Sequence, residues 1–238
     1  MRRDHSDDPV NNSEMEEKVV YFTNPLHDAI PGLDFLPLRA GHTKTLPSYR
    51  KESVMGDAHV MMFIVRGAGV LQTARGTSPF SAGDVVGFFA DETCSWWSMP
   101  HSPLEHYWMS FSGEGGRGIL KRLSCSDTAF ILRRPSMPPK EKRLLERLLQ
   151  LLKNRSDASI WSSISCCFAI FDSVAQTYSP LSEQPSQSAG DLANQTRRFI
   201  EKNFSEPLTV TDMAAFLGTS VEQLRRSFRE TYGMTPYA

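Results

Sequence analysis

The segment from Thr209 to Gly233 leaves the chain few choices. Thr209 stands three residues before Asp212, and Ser220 stands three before Gln223. A hydroxyl followed at that spacing by a carboxylate or amide is the signature of a helix start, because each side chain can bond the other residue's backbone N–H. Gly218 and Gly233 end the two runs, since glycine takes the left-handed backbone of a helix C-terminus without strain. The spacing predicts a short helix after Thr209, a tight turn, and a second capped helix over residues 221–232. Ala214 and Ala215 keep the first helix thin enough for another to cross closely. Leu224 and Phe228, with Val221, form an inward face, and Glu222, Arg225, Arg226 and Arg229 point outward. A further helix over residues 192–203, with Ala193, Thr196, Phe199 and Ile200 at helical spacing, frames the pair.

A short helix, a tight turn and a capped helix with an arginine face make a geometry that fits the DNA major groove. Arginine forks two hydrogen bonds onto guanine O6 and N7. Arg229, further along, is placed to meet phosphate. Glu222 can accept from cytosine N4, or repel DNA and so enforce selectivity. Ser220, Glu222, Arg225, Arg226 and Arg229 are therefore the candidate DNA-contacting residues, against the plainer reading of a solvated surface helix. The net charge of −1 over 238 residues counts against a DNA binder, although basic residues gathered on one face can outweigh it.

The rest of the chain divides by hydrophobic period. Residues 1–18 are polar, lack the apolar core of a secretory signal, and read as a disordered lead-in. Residues 19–136 hold short runs rich in β-branched and aromatic residues, such as 60–65, 69–73, 84–89 and 105–111, punctuated by Gly, Pro and Asp. This is the pattern of a β-sandwich or barrel. From Pro139 the period lengthens. Leu144, Leu145, Leu148, Leu149, Leu151 and Leu152 stripe one helix face, and residues 158–178 form a more apolar partner, so 137–178 reads as a helical hairpin. Residues 179–190, dominated by Ser, Pro and Gln, read as a linker, and 191–238 as the helix-turn-helix unit. The fold class is α+β. Cys94, Cys125, Cys166 and Cys167 show neither CxxC nor metal-ligand spacing, which fits a reduced, cytoplasmic chain with no metal or other cofactor. No apolar run is long enough to span a membrane.

The run Leu208-Thr209-x-x-Asp212-x-Ala214-x-x-Leu217-Gly218-x-Ser220-x-x-x-Leu224-x-Arg226-x-Phe228-Arg229-x-x-x-Gly233 closely resembles the first helix-turn-helix of the AraC family. Members of that family carry two such units joined by a long helix and read two adjacent major-groove segments. The resemblance places Glu222, Arg225 and Arg226 at base-reading positions and Arg229 at a backbone contact. This chain reaches Ala238 where the linking helix should begin, so the second unit is missing, either from a fragment or from a naturally shortened protein. With one unit, binding is expected to be weaker and strongly salt-dependent. Gly67-Ala68-Gly69, Gly83-Asp84 and the run from Glu105 to Gly113 are similar, more loosely, to the cupin-like sensor barrel of the arabinose-type regulators. That likeness implies ligand contacts at Arg50, Trp97, His106 and Trp108, with the aromatic rings stacked on a sugar. The competing reading is that these rings fill a small core. The leucine-rich hairpin resembles the family's dimerising helices, which implies a homodimer through Leu144, Leu148 and Leu151.

The expectation is a regulator of transcription that responds to a small molecule, with carbohydrates as the first candidates. Double-stranded DNA and the effector are its partners, and RNA polymerase is a further candidate. Two alternatives stand beside it. One is a truncated sensing and dimerising module with little DNA binding of its own. The other is a cupin enzyme, which the ligand set disfavours. Metal cupins need two His and a Glu on one strand pair and a third His later. Here the first strand offers His59, and Cys94, Ser95 and Trp96 stand where the later His would fall. No catalytic residues are assigned.

Overall fold

The computed structural model describes residues 20–23, 33–47, 49–54, 56, 58–153, 157–178, 189–203 and 209–236. The expected lead-in over 1–18 and nearly all of the linker, 179–188, lie outside these residues.

Ten strands build two antiparallel sheets. They are β1 (Val20–Thr23), β2 (Leu36–Lys44), β3 (Arg50–Val54), β4 (His59–Arg66), β5 (Ala68–Thr73), β6 (Gly76–Ser81), β7 (Val85–Phe88), β8 (Thr93–Ser98), β9 (Glu105–Ser112) and β10 (Phe130–Leu132). One sheet has the order β1-β2-β9-β4-β7-β10 and the other β3-β8-β5-β6. Side chains alternate across each strand. On β4, Met62 and Ile64 therefore join Leu71, Phe80, Val86, Phe88 and Trp96 in a core between the sheets. Met61 and Phe63 turn to the opposite side.

That opposite side is covered by helices. They are α1 (Glu114–Ser124), α2 (Pro139–Lys153) and α3 (Asp157–Thr177). Leu145, Leu148, Leu149 and Leu152 of α2 and Cys166, Cys167, Ile170, Phe171 and Val174 of α3 close over Met109 and Phe111. Leu148 is completely buried there. The expected role of Leu148 as a contact between subunits is thus corrected, because its side chain is consumed by its own core. Leu144 and Leu151 are half-buried. Helix α1 is not foreshadowed by composition, since Gly115, Gly116 and Gly118 lower its intrinsic helix propensity. It forms because Leu120 and Leu123 are buried against the sheet.

A buried ion pair ties these layers together. Arg134 and Glu141 are fully enclosed, and two guanidinium nitrogens each donate to a carboxylate oxygen at 2.7 Å. The same guanidinium donates to the Gly83 carbonyl at 3.1 Å and to Thr177 Oγ1 at 3.0 Å. One side chain thereby joins the turn before β7 to the start of α2 and the end of α3.

The last three helices are α4 (Ala189–Asn203), α5 (Val210–Phe216) and α6 (Val221–Tyr232). Thr209 and Asp212 form the expected reciprocal cap. Ser220 caps α6 by accepting the Gln223 N–H at 3.1 Å. The Gln223 side chain does not return that bond as the spacing predicts. Its Oε1 accepts from Thr219 Oγ1 at 3.1 Å, because the preceding hydroxyl lies within reach. Gly233 ends α6 with φ 71°. Helix α4 begins at Ala189, three residues before the expected start. Leu224, Phe216, Val210, Met213, Ala214 and Phe199 form the core of this unit, and the same cluster includes Ala68, Val70 and Met99 from the outer face of the β3-β8-β5-β6 sheet.

Candidate functional site

Helix α6 owes its direction to its ends and its rotation to its core. Leu224, Ser227 and Phe228 are buried, which fixes the inward side. Phe228 packs at 4.9 Å, with rings tilted by 52°, against Tyr232, whose hydroxyl donates to Asn194 of α4 at 2.5 Å. With that side fixed, Glu222, Arg225, Arg226 and Arg229 are all exposed. At helical spacing they share an arc of about 100°. Ser220 is exposed at the start of the same helix, with its oxygen engaged as the cap. The five candidate DNA-contacting residues thus share one helix and its entry. Three guanidinium groups and one carboxylate make a surface that suits base edges and phosphates.

The barrel interior is organised by β9. Tyr107, Met109 and Phe111 face the helices, so His106, Trp108 and Ser110 face inward by alternation. Trp108 donates its indole N–H to Thr43 Oγ1 at 3.1 Å. It lies over Gly41, where a Cβ would stand 2.4 Å from the ring. His106 is 3% exposed and packs edge-on against Trp96 at 5.6 Å. Among the described residues, its Nδ1 and the Ser110 hydroxyl have no hydrogen-bond partner. Burial pushes the His106 imidazole down to about 3, with His42 and Lys51 adding positive charge nearby. The neutral ring is therefore the form present at physiological pH. Lys51 pairs with Trp96 across β3 and β8. Burial lowers its ammonium from the ordinary lysine range. Cys94 is pushed up to about 12, by burial first and then by the Glu92 carboxylate, with Lys51 opposing.

The structure separates the four sequence-assigned ligand residues into two pairs. His106 and Trp108 line the interior. Arg50 and Trp97 lie on the outer face, where the guanidinium carbon sits 4.7 Å from the indole centroid. There they border a cleft of about 410 Å³ against Phe216 and Leu217. The expected four-residue cluster is corrected accordingly. Alternation sends Lys51 and Trp96 inward, beside Tyr49, and their neighbours outward. The missed signal was parity. Cys94 and Trp96 share a face, so Trp97 cannot. His59 also faces the helical side, near Phe89 and Phe111, and its Nδ1 accepts the Ala90 N–H at 2.9 Å.

The model of the AraC-like ligand binding domain matches residues 37–164, more than half of the chain. The chain belongs to the AraC family. A second model, bacterial regulatory helix-turn-helix proteins of the AraC family, matches residues 200–238 and so includes α5 and α6. This AraC-family chain is a ligand-responsive, DNA-binding regulator of transcription, and members of the family are generally not enzymes. Similar solved structures include the AraC-like transcriptional activator CuxR, at 15% identity over 86% of this chain and 73% of that one, with TM-score 0.38. ToxT from Vibrio cholerae O395 is 10% identical over 85% and 76%, with TM-score 0.37. An oxalate decarboxylase from Lactobacillus farciminis is 18% identical over 33% and 24%, with TM-score 0.28. No curated protein matches. Among the described residues, no helix is long and apolar enough to cross a membrane.

Proposed function

We propose that this AraC-family regulator binds its effector inside the barrel, against Trp108 and His106, and passes the signal to α6 through the outer face of the same barrel. A flat-faced polar molecule such as a carbohydrate suits indole walls and a neutral imidazole. The observation that carries the reading is the shared apolar cluster: Val70 and Met99 of the barrel pack with Phe216 and Leu224 of the helix-turn-helix unit. Strand β5 supplies Leu71 to the interior and Val70 to this contact. A ligand that shifts the strand therefore biases the docking of α5 and α6.

DNA is read by Arg225 and Arg226, with Glu222 as a selectivity element, Arg229 on phosphate, and Ser220 at the helix entry. In this reading the protein works in the cytoplasm, next to RNA polymerase at the promoter. It self-associates through the outer face of α2 and α3, where Leu144 and Leu151 are half-buried and Trp161 is 62% exposed.

The test uses DNA selected by the full chain from a random-sequence pool. Arg225→Ala/Arg226→Ala is expected to cost about 1–3 kcal/mol per arginine in specific binding, with thermal unfolding unchanged. Arg229→Ala is expected to weaken all sequences alike and to lower the salt slope by about 1. A footprint that survives the double substitution places the reading face elsewhere.

A further inference from the structure

We propose that the effector carries a carboxylate, received inside the barrel by the Lys51 ammonium and steadied by His106. This rests on the barrel interior being the effector site. Lys51 extends from β3 beside Trp96, on the wall that faces His106 of β9. Among the described residues, no acidic side chain pairs with its ammonium. Lys51 is half-buried, a cation partly drawn out of water without a counter-charge is disfavoured, and burial pushes its proton affinity down. A ligand carboxylate supplies the missing charge.

His106 makes the second half of the case. Its buried Nδ1 has no partner among the described residues, although buried polar atoms are nearly always bonded. A neutral imidazole offers one N–H and one lone pair. It can hold the second carboxylate oxygen, or a hydroxyl beside it. Trp96 and Trp108 supply flat walls for the body of the molecule, and Thr43 fixes the plane of Trp108. The charge count favours a monoanion. Arg50, next to Lys51, turns outward onto Trp97, and Arg39, towards the other end of β2, is exposed. A phosphate dianion would call for more positive charge than this wall provides.

The experiment measures binding of matched acid and neutral pairs to the full chain by isothermal titration. The pairs are D-glucuronate with D-glucose, and benzoate with benzamide. They separate a sugar acid from an aryl acid. At least one acid is expected to bind about tenfold or more tightly than its neutral partner. Lys51→Met should erase that preference and Lys51→Arg should retain it. Lys51→Gln serves as a second neutral variant, and thermal melts verify that each variant folds. Equal binding of acid and neutral partner, a preference that persists in Lys51→Met, or no binding of any of the four overturns the assignment. Failure of the sensing reading looks different: an acid binds and needs Lys51, yet affinity for DNA is the same with and without it.

Discussion

The helix-turn-helix unit and the barrel are held by opposite kinds of interaction. In α5 and α6 each cap comes from within four residues: Thr209 with Asp212, Ser220 with Gln223, Thr219 with Gln223, and Gly233 with Arg229. In the barrel several of the ties are remote. Trp108 reaches Thr43 across 65 residues, Leu104 meets Thr45 across 59, and Arg134 meets Gly83 across 51. Local ties make a unit that is ordered by its own sequence. Remote ties make one whose parts depend on each other, which is what a sensor needs if filling one wall is to be felt at another.

The most severe way to break this contrast is Arg134→Met. It strands a buried Glu141 carboxylate and removes one donor to Thr177 Oγ1 and one to the Gly83 carbonyl. Such losses cost about 3–5 kcal/mol. Urea unfolding followed by tryptophan fluorescence will report it selectively, because Trp96, Trp97, Trp108 and Trp161 all lie outside α4 to α6. Arg134→Met/Glu141→Met should recover most of the loss, since an apolar pair leaves no buried charge. A single-substitution cost below about 1 kcal/mol, typical of surface pairs, would mean that the remote ties are decorative and the contrast false.

Acid sharpens the same contrast. The His106 imidazole titrates near 3 in the fold, against an ordinary value near 6.5. Between these values the unfolded chain binds the proton and the folded one does not, so stability rises with pH. Lowering the pH from 6.5 towards 3 therefore removes up to about 1.4 kcal/mol per unit through this group alone. The difference in unfolding free energy between wild type and His106→Gln, measured at pH 7 and pH 5, isolates it. The wild type should lose more. Equal losses would show that His106 is protonated in the fold or reached by water.

The two regions also differed in how far the residues alone disclosed them. Caps and glycine stops are short-range chemistry, so both α5 and α6 and their outward arginines were legible from a few neighbours. The β pattern disclosed a sandwich or barrel, and only the family resemblance singled out His106 and Trp108 as ligand contacts. The pattern did not disclose which of Trp96 and Trp97 faces inward, because that depends on register with β3 and β5. Helix α1 was hidden by its glycines, and only the buried Leu120 and Leu123 explain it. The Arg134–Glu141 pair was hidden because charged residues in loops and helix starts are usually solvated. Leu148 was misassigned for a related reason: a leucine stripe says that a face is buried, not against what.

The smallest expected effect tests the local half of the contrast. Ser220→Ala removes the acceptor for the Gln223 N–H and should cost about 1 kcal/mol, whereas Ser220→Gly should cost only a few tenths. Because the bond spans three residues, the loss should be confined to α6. Hydrogen exchange of the α6 amides should accelerate about fivefold, while the tryptophan-detected transition of the barrel stays in place. One path by which it could spread is the apolar cluster that holds Phe216 and Leu224 with Val70 and Met99. If the barrel transition moves with Ser220→Ala, that contact transmits stability between the two units even without ligand, and the helix-turn-helix unit is less self-sufficient than its caps suggest. If only α6 responds, the barrel must change shape before α6 feels the effector, and Met99→Ala should then weaken the response to ligand without altering the caps.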